Sequence, residues 1–167
     1  VMEISLLPED GYSKIEKRLY DLDIAGDLIF GESPFIDIGN DKAVAVFVKE
    51  GEISYIILKD DLAFLPPHKP YDVCSGGCSK GRVKILDDGS FIITGIKDGT
   101  IYGGRYYFSA PDASALKSIG LPDFDQNHYD ILSFLGNNPL RMFVGNTVGD
   151  TVTVAYLESN MDFAGAE

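Results

Sequence analysis

Tryptophan is absent from this 167-residue chain, and there are only two cysteines, two histidines and three methionines. Two cysteines cannot build the several-bridge framework that staples small secreted domains. Two histidines, His68 and His128, leave little material for a histidine-based catalytic or metal set. No uninterrupted run of about 18 apolar residues occurs, which excludes a membrane-spanning helix. Basic residues are scarce as well, 14 against 26 acidic ones, for a formal charge of −12. A surface of that sign argues against general affinity for DNA or RNA backbones. The acids are spread along the chain without a run of five like charges, so no charged arm is expected. No basic segment leading into an apolar run opens the sequence, and the expectation is a cytoplasmic protein. The phosphate-loop pattern G-x-x-x-x-G-K-[ST], the nucleophile elbow G-x-S-x-G and the C-x-x-C redox pair are all missing, so no cofactor is implied.

What is present is ordinary globular material, with 45% hydrophobic and 24% charged residues. The length suits one domain spanning 1–167. Pro66, Pro67 and Pro70 cannot donate to a sheet ladder and mark a crossing loop at about 62–72. The small and acidic residues at about 161–167 read as a frayed tail.

Helix and strand signals both appear. Ser13-Lys14-Ile15-Glu16 fits a capping box, and Ile15, Leu19 and Leu22 follow at i, i+4 and i+7, predicting a helix over 13–23. Asp112 in a first turn, with Ala113, Ala115, Leu116 and Ile119 behind it, predicts a second that ends at Gly120. Asn127 as a cap, with Ile131, Leu132, Phe134 and Leu135 following, predicts a third. Strands are expected at 43–48, 53–58, 82–86, 91–96, 100–108, 140–144 and 151–157, from runs of β-branched and aromatic residues. The turns Glu50-Gly51, Asp88-Gly89 and Asp98-Gly99 between such runs are hairpin signals. Together these predict an α+β fold, a mainly antiparallel sheet of hairpins and a meander with about three short helices. No internal repeat is evident.

The most unusual local chemistry is Asp72-Val73-Cys74-Ser75-Gly76-Gly77-Cys78-Ser79-Lys80-Gly81-Arg82. The preferred reading is a glycine turn entering a strand with two unreactive thiols. A disulfide across the turn is feasible if the Cα atoms come within about 7 Å. Zinc could be held by Cys74, Cys78 and His68 with a distant fourth ligand such as His128. Glycine amides beside Ser75, Ser79, Lys80 and Arg82 could also cradle an anion. Calcium-loop matches from Asp21 and Asp123 fail, because Ala25 supplies no side-chain oxygen and Phe134 stands where the bidentate Glu belongs.

Two function classes remain. The first is a non-enzymatic acidic binding protein, of inhibitor or immunity type, that engages a basic protein partner and not nucleic acid or membrane. Its candidate contacts are Asp60, Asp61, Asp87, Asp88, Asp123 and Asp125, chosen as acids on expected loops. The second is a small-ligand or metal-binding domain, as a binder or an enzyme, centred on the Cys74–Cys78 loop with His68, Lys80 and Arg82.

Overall fold

A computed structural model describes residues 2–6, 16–20, 35–59, 70–119, 129–136, 140–146, 152–158 and 160–166. Every regular element among them is a β-strand. In chain order the first two, β1 (Met2–Leu6) and β2 (Glu16–Tyr20), pair antiparallel with each other. Next come β3 (Phe35–Gly39), β4 (Lys42–Lys49), β5 (Glu52–Lys59) and β6 (Tyr71–Cys74), a four-stranded sheet in sequence order. A second sheet of the same kind holds β7 (Cys78–Ile85), β8 (Ser90–Lys97), β9 (Thr100–Tyr107) and β10 (Lys117–Ser118). The third holds β11 (Tyr129–Leu135), β12 (Leu140–Asn146), β13 (Val152–Leu157) and β14 (Phe163–Ala166). All pairs are antiparallel between neighbours in the chain. The sequence shows no repeat, yet its structure repeats one unit, the up-and-down meander of four strands.

The meanders stack face to face, and strand alternation explains how. Neighbouring side chains on a strand point to opposite sides. Along β8, Phe91 and Ile93 join Tyr106 in packing against Val44, Val46, Ile53 and Tyr55 of the first sheet. Ile92 and Ile96, with Ile101, turn the other way onto Leu140, Met142, Val144, Ala155 and Leu157 of the third. The middle sheet is therefore covered on both faces, and Ser90 through Ile96 are all buried. First strands lie near one another across the stack, with β7 packed on β3 and β4 and also touching β11. Asp37 on β3 fastens this seam by accepting from the Ile85 amide at 2.7 Å. Close approach needs a residue without a side chain: a Cβ at Gly81 would sit 2.7 Å from Val46 Cγ1. Stacked four-stranded meanders are the building unit of β-propellers.

The α+β expectation is overturned, since the described residues contain no helix and form three antiparallel four-stranded sheets. Within 13–23, Glu16–Tyr20 is a strand paired to Met2–Leu6, and the flanking residues lie outside the described ones. The segment after Asp112 is irregular up to the short strand β10 and holds no helix. Its amides bond across the fold, Leu116 N–H to Val73 O at 2.9 Å and Ile119 N–H to Ile101 O at 2.8 Å, where a helix would bond to its own turns. Tyr129–Leu135, expected helical, is a strand on β12. The tail is not frayed: Met161 is buried and Phe163–Ala166 pairs with β13. Of the crossing loop at 62–72, residues 71–72 belong to β6 and 62–69 lie outside the described residues. The strands expected at 43–48, 53–58, 82–86, 91–96, 140–144 and 151–157 are present with small shifts of boundary, and that at 100–108 ends at Tyr107. Among the described residues no helix is long and apolar enough to cross a membrane.

Candidate functional site

Two places in this stack concentrate chemistry, the junction between the first two sheets and the hairpin tips. At the junction β6 ends on Cys74 and β7 begins on Cys78. Gly76 and Gly77, with φ of 77° and 87°, reverse the chain between them. This brings the two Cα atoms to 6.2 Å, and the sulfurs form a disulfide. The preferred reading of two unreactive thiols is thereby corrected. The glycines supply backbone angles that other residues rarely adopt, and the turn closes to bridging distance. Oxidised sulfurs are not thiolates, so this form offers zinc no cysteine pair. Among the described residues no group of three His, Cys, Asp or Glu side chains is placed to hold a metal ion.

The bridge lines one wall of a cleft of about 210 Å³. Val73 and Leu116 give it an apolar floor, while Asp72, Ser75, Lys97 and Tyr102 supply polar groups. Strand pairing explains this convergence: Cys74 lies opposite Ile53, and Cys78 opposite Lys97. The Cys78 amide donates to Gly51 O at 2.8 Å, seating the loop on the β4–β5 turn. Polar groups are held in place: Ser54 Oγ donates to Asp72 Oδ1 at 2.6 Å, and Lys97 Nζ to Ser75 O at 2.7 Å. Of the sequence candidates, Cys74 lines the cleft and Cys78 is buried behind it. Lys80 and Arg82 do not line it. Arg82 lies further along β7 with its guanidinium 4.8 Å from the centre of the Phe35 ring. His68 lies outside the described residues. Sequence reading missed Lys97 and Tyr102. The available signal was the meander itself, which brings the Lys97 turn alongside the start of β7.

At the hairpin tips, Asn40-Asp41, Glu50-Gly51 and Asp98-Gly99 each have two successive positive φ angles. That is the backbone of a two-residue type I′ turn, whose twist matches that of the strands it joins. Asp41, Glu50 and Asp98 are exposed there, as are Asp87 and Asp88 in the β7–β8 turn. Asn40 Nδ2 donates to Leu86 O at 2.8 Å, so the β3–β4 and β7–β8 turns share one end of the stack. Asp88 is committed locally. Its carboxylate accepts from the hydroxyl and amide of Ser90 and pairs with Arg105. The Ser90 hydroxyl, first, and the Arg105 charge hold Asp88 below the usual carboxylate range. The turn therefore employs Asp88, and Asp87 and Asp88 are both exposed. Asp60, Asp61, Asp123 and Asp125 lie outside the described residues. Sequence reading passed over Asp41, Glu50 and Asp98, although Glu50-Gly51 and Asp98-Gly99 were recognised as turns.

No family model matches the chain, and no curated protein matches it. Among solved structures it is similar to a protein of Parabacteroides distasonis described as a "putative glycoside hydrolase", at 14% identity and a TM-score of 0.43. The match covers 78% of this chain and 48% of that one, so the chain spans about half the length of that structure.

Proposed function

We propose that the chain is a binding module of inhibitor or immunity type whose acidic hairpin tips engage a basic protein partner. The observation that carries this reading is the exposure of acids on turns that rigid sheets hold out from the stack, Asp41 and Asp87 at one end and Glu50 and Asp98 at the other. Pre-ordered carboxylates lose little freedom on binding, and a chain of charge −12 draws a cationic partner through its long-range field. The disulfide favours an oxidising compartment over the cytoplasm as the place of encounter.

Capture by the immobilised chain at about 50 and about 300 mM NaCl tests this, since the higher salt shortens electrostatic reach to a few ångströms. The Asp41→Asn/Glu50→Gln/Asp87→Asn/Asp98→Asn variant is run beside it. A basic protein retained at low salt by the native chain and lost by the variant supports the proposal. A partner indifferent to both salt and substitution overturns it.

The cleft beside the disulfide favours a second reading, a site for a small polar ligand held between Asp72 and Lys97. Its volume is below the roughly 300–1,000 Å³ of most ligand sites, which places it behind the first reading.

A further inference from the structure

The cleft beside the Cys74–Cys78 disulfide is lined by a negative and a positive side chain that do not neutralise each other. Asp72 comes from β6, the last strand of the first sheet, and Lys97 from the end of β8 in the second. Among the described residues neither enters an ion pair. Each is anchored once and keeps hydrogen-bonding capacity. Ser54 Oγ donates to Asp72 Oδ1, which leaves Oδ2 to accept. Lys97 Nζ uses one of its three donors on Ser75 O and lies 3.7 Å from where a Cβ on Gly76 would stand. Val73 and Leu116, both buried, give the floor, and Tyr102 is half-buried beside it. Backbone bonds fix these walls: Leu116 N–H donates to Val73 O at 2.9 Å, and Tyr102 is paired to Gly95 on β8 and Ser118 on β10.

We propose that this cleft binds a free α-amino acid with an aliphatic side chain. Its ammonium meets Asp72, its carboxylate meets Lys97, and its side chain rests on Val73 and Leu116. The proposal rests on the small-ligand reading of the cleft, names the class of ligand, and uses none of the acidic tips. Charge selects this class first. An acceptor-only carboxylate and a donor-only ammonium in one cleft match a ligand that carries both complementary groups. A zwitterion also has no net charge, so the field of a chain at −12 does not repel it as it repels a simple anion. Size comes second. A volume of about 210 Å³ holds roughly seven waters at liquid density, which fits a molecule like valine or leucine and is too small for a nucleotide. The apolar floor comes third, because it receives an aliphatic side chain and gives an inorganic ion nothing.

Titration of the native chain with L-leucine, followed by amide chemical shifts, tests this. Two pieces of the same molecule run beside it: 4-methylpentanoate lacks the ammonium, and 3-methylbutylamine lacks the carboxylate. Expected is saturable binding of leucine with a Kd of about 1 mM, a realistic scale for so small a ligand. The amides that move are those of Val73, Ser75, Lys97, Tyr102 and Leu116. Each piece binds about fivefold or more weakly, because it lacks one charge-assisted hydrogen bond. Asp72→Asn weakens leucine by the same factor and leaves 4-methylpentanoate unchanged. Lys97→Gln weakens leucine likewise and leaves 3-methylbutylamine unchanged. A merely structural role for either residue would not give that crossed pattern, and circular dichroism confirms that both variants fold.

Leucine held no more tightly than its pieces, or variants that weaken all three probes alike, overturn the proposal. If glycerol or either piece moves these amides and leucine does not, the cleft takes small ligands of another class and the amino-acid assignment alone falls. If no probe moves them up to about 20 mM, the small-ligand reading falls with it. None of these outcomes bears on capture of a basic protein by the acidic tips.

Discussion

Tyr55 shows how one side chain sets the conformation of a distant segment. It is fully buried, stacked on Tyr71 at 4.9 Å, with Phe91 and Tyr106 each 5.3 Å away. Its hydroxyl donates to Asp112 O at 2.7 Å and accepts from Asp112 N–H at 3.2 Å. Both backbone groups of a residue expected to open a helix are thus taken by a phenol from another sheet. Nearby, Tyr106 donates to Ser114 O at 2.6 Å, and Ser114 N–H turns back to Asp112 Oδ1. Tyr55→Phe removes the bridge and is expected to cost about 1 kcal/mol, since exposed Asp112 regains water in part. Urea denaturation gives that cost, and faster amide exchange confined to the 112–116 segment shows that the latch was lost. Burial, foremost, pushes the Tyr55 and Tyr106 hydroxyls above the ordinary phenol range. For such groups the folded state prefers the neutral form, while the unfolded phenol ionises near pH 10. Their contribution to stability is complete below about pH 10 and is lost as pH rises from there through the folded value. Tyrosinate absorbance from these two rings should therefore appear only together with alkaline unfolding.

At the scale of elements, the disulfide and the turns do what the core does not. Cys74–Cys78 ties the last strand of one meander to the first strand of the next, across a connection of three residues. A closed loop this short is expected to contribute about 2 kcal/mol in the chain-entropy description. Reduction, or Cys74→Ala/Cys78→Ala, should lower stability by that amount, and alkylation of the unfolded, unreduced chain should find no free thiol. The hairpins closed at Gly51, Gly89 and Gly99 were legible beforehand because a tight turn favours glycine, which accepts positive φ whatever surrounds it, whereas the glycine-free turn at Asn40-Asp41 was not. The three expected helices failed for separate reasons. In β11 the register shifts between Ile131 and Ser133, so one residue is extra. That bulge places Ile131 opposite Val144 and Phe134 opposite Met142, both core positions. The extra residue thus sets Ile131 and Phe134, three apart in sequence, opposite two core residues of the neighbouring strand, a spacing that also suits one face of a helix. Ser13-Lys14-Ile15-Glu16 and Asp112 carry cap-like residue types, but the bonds that decide the outcome come from other strands. The cleft was half legible: the Cys74–Cys78 loop drew attention by composition, whereas Lys97 and Tyr102 join it only through pairing between distant strands.

Across the whole molecule, two apolar cores meet in one strand. Phe91 and Ile93 belong to the core shared with the first sheet, and Ile92 and Ile96 to the core shared with the third. All but Ile96 are fully buried, and the backbone of β8 pairs along its length with β7 and β9. Loss of either outer sheet would bare one whole face of the middle one, with four or more large side chains at about 1.5–3 kcal/mol each. Such a state has a high free energy, so the described sheets are expected to unfold together. Phe91→Ala and Ile92→Ala test this from opposite faces. Each truncation should cost roughly 2–5 kcal/mol through lost contact and the cavity left behind. If the sheets are one cooperative unit, both variants shift the same single urea transition and leave its slope unchanged, because the slope follows the surface exposed on unfolding. Two transitions, with Phe91→Ala moving one and Ile92→Ala the other, would mean that the cores melt independently and that the middle sheet does not couple them.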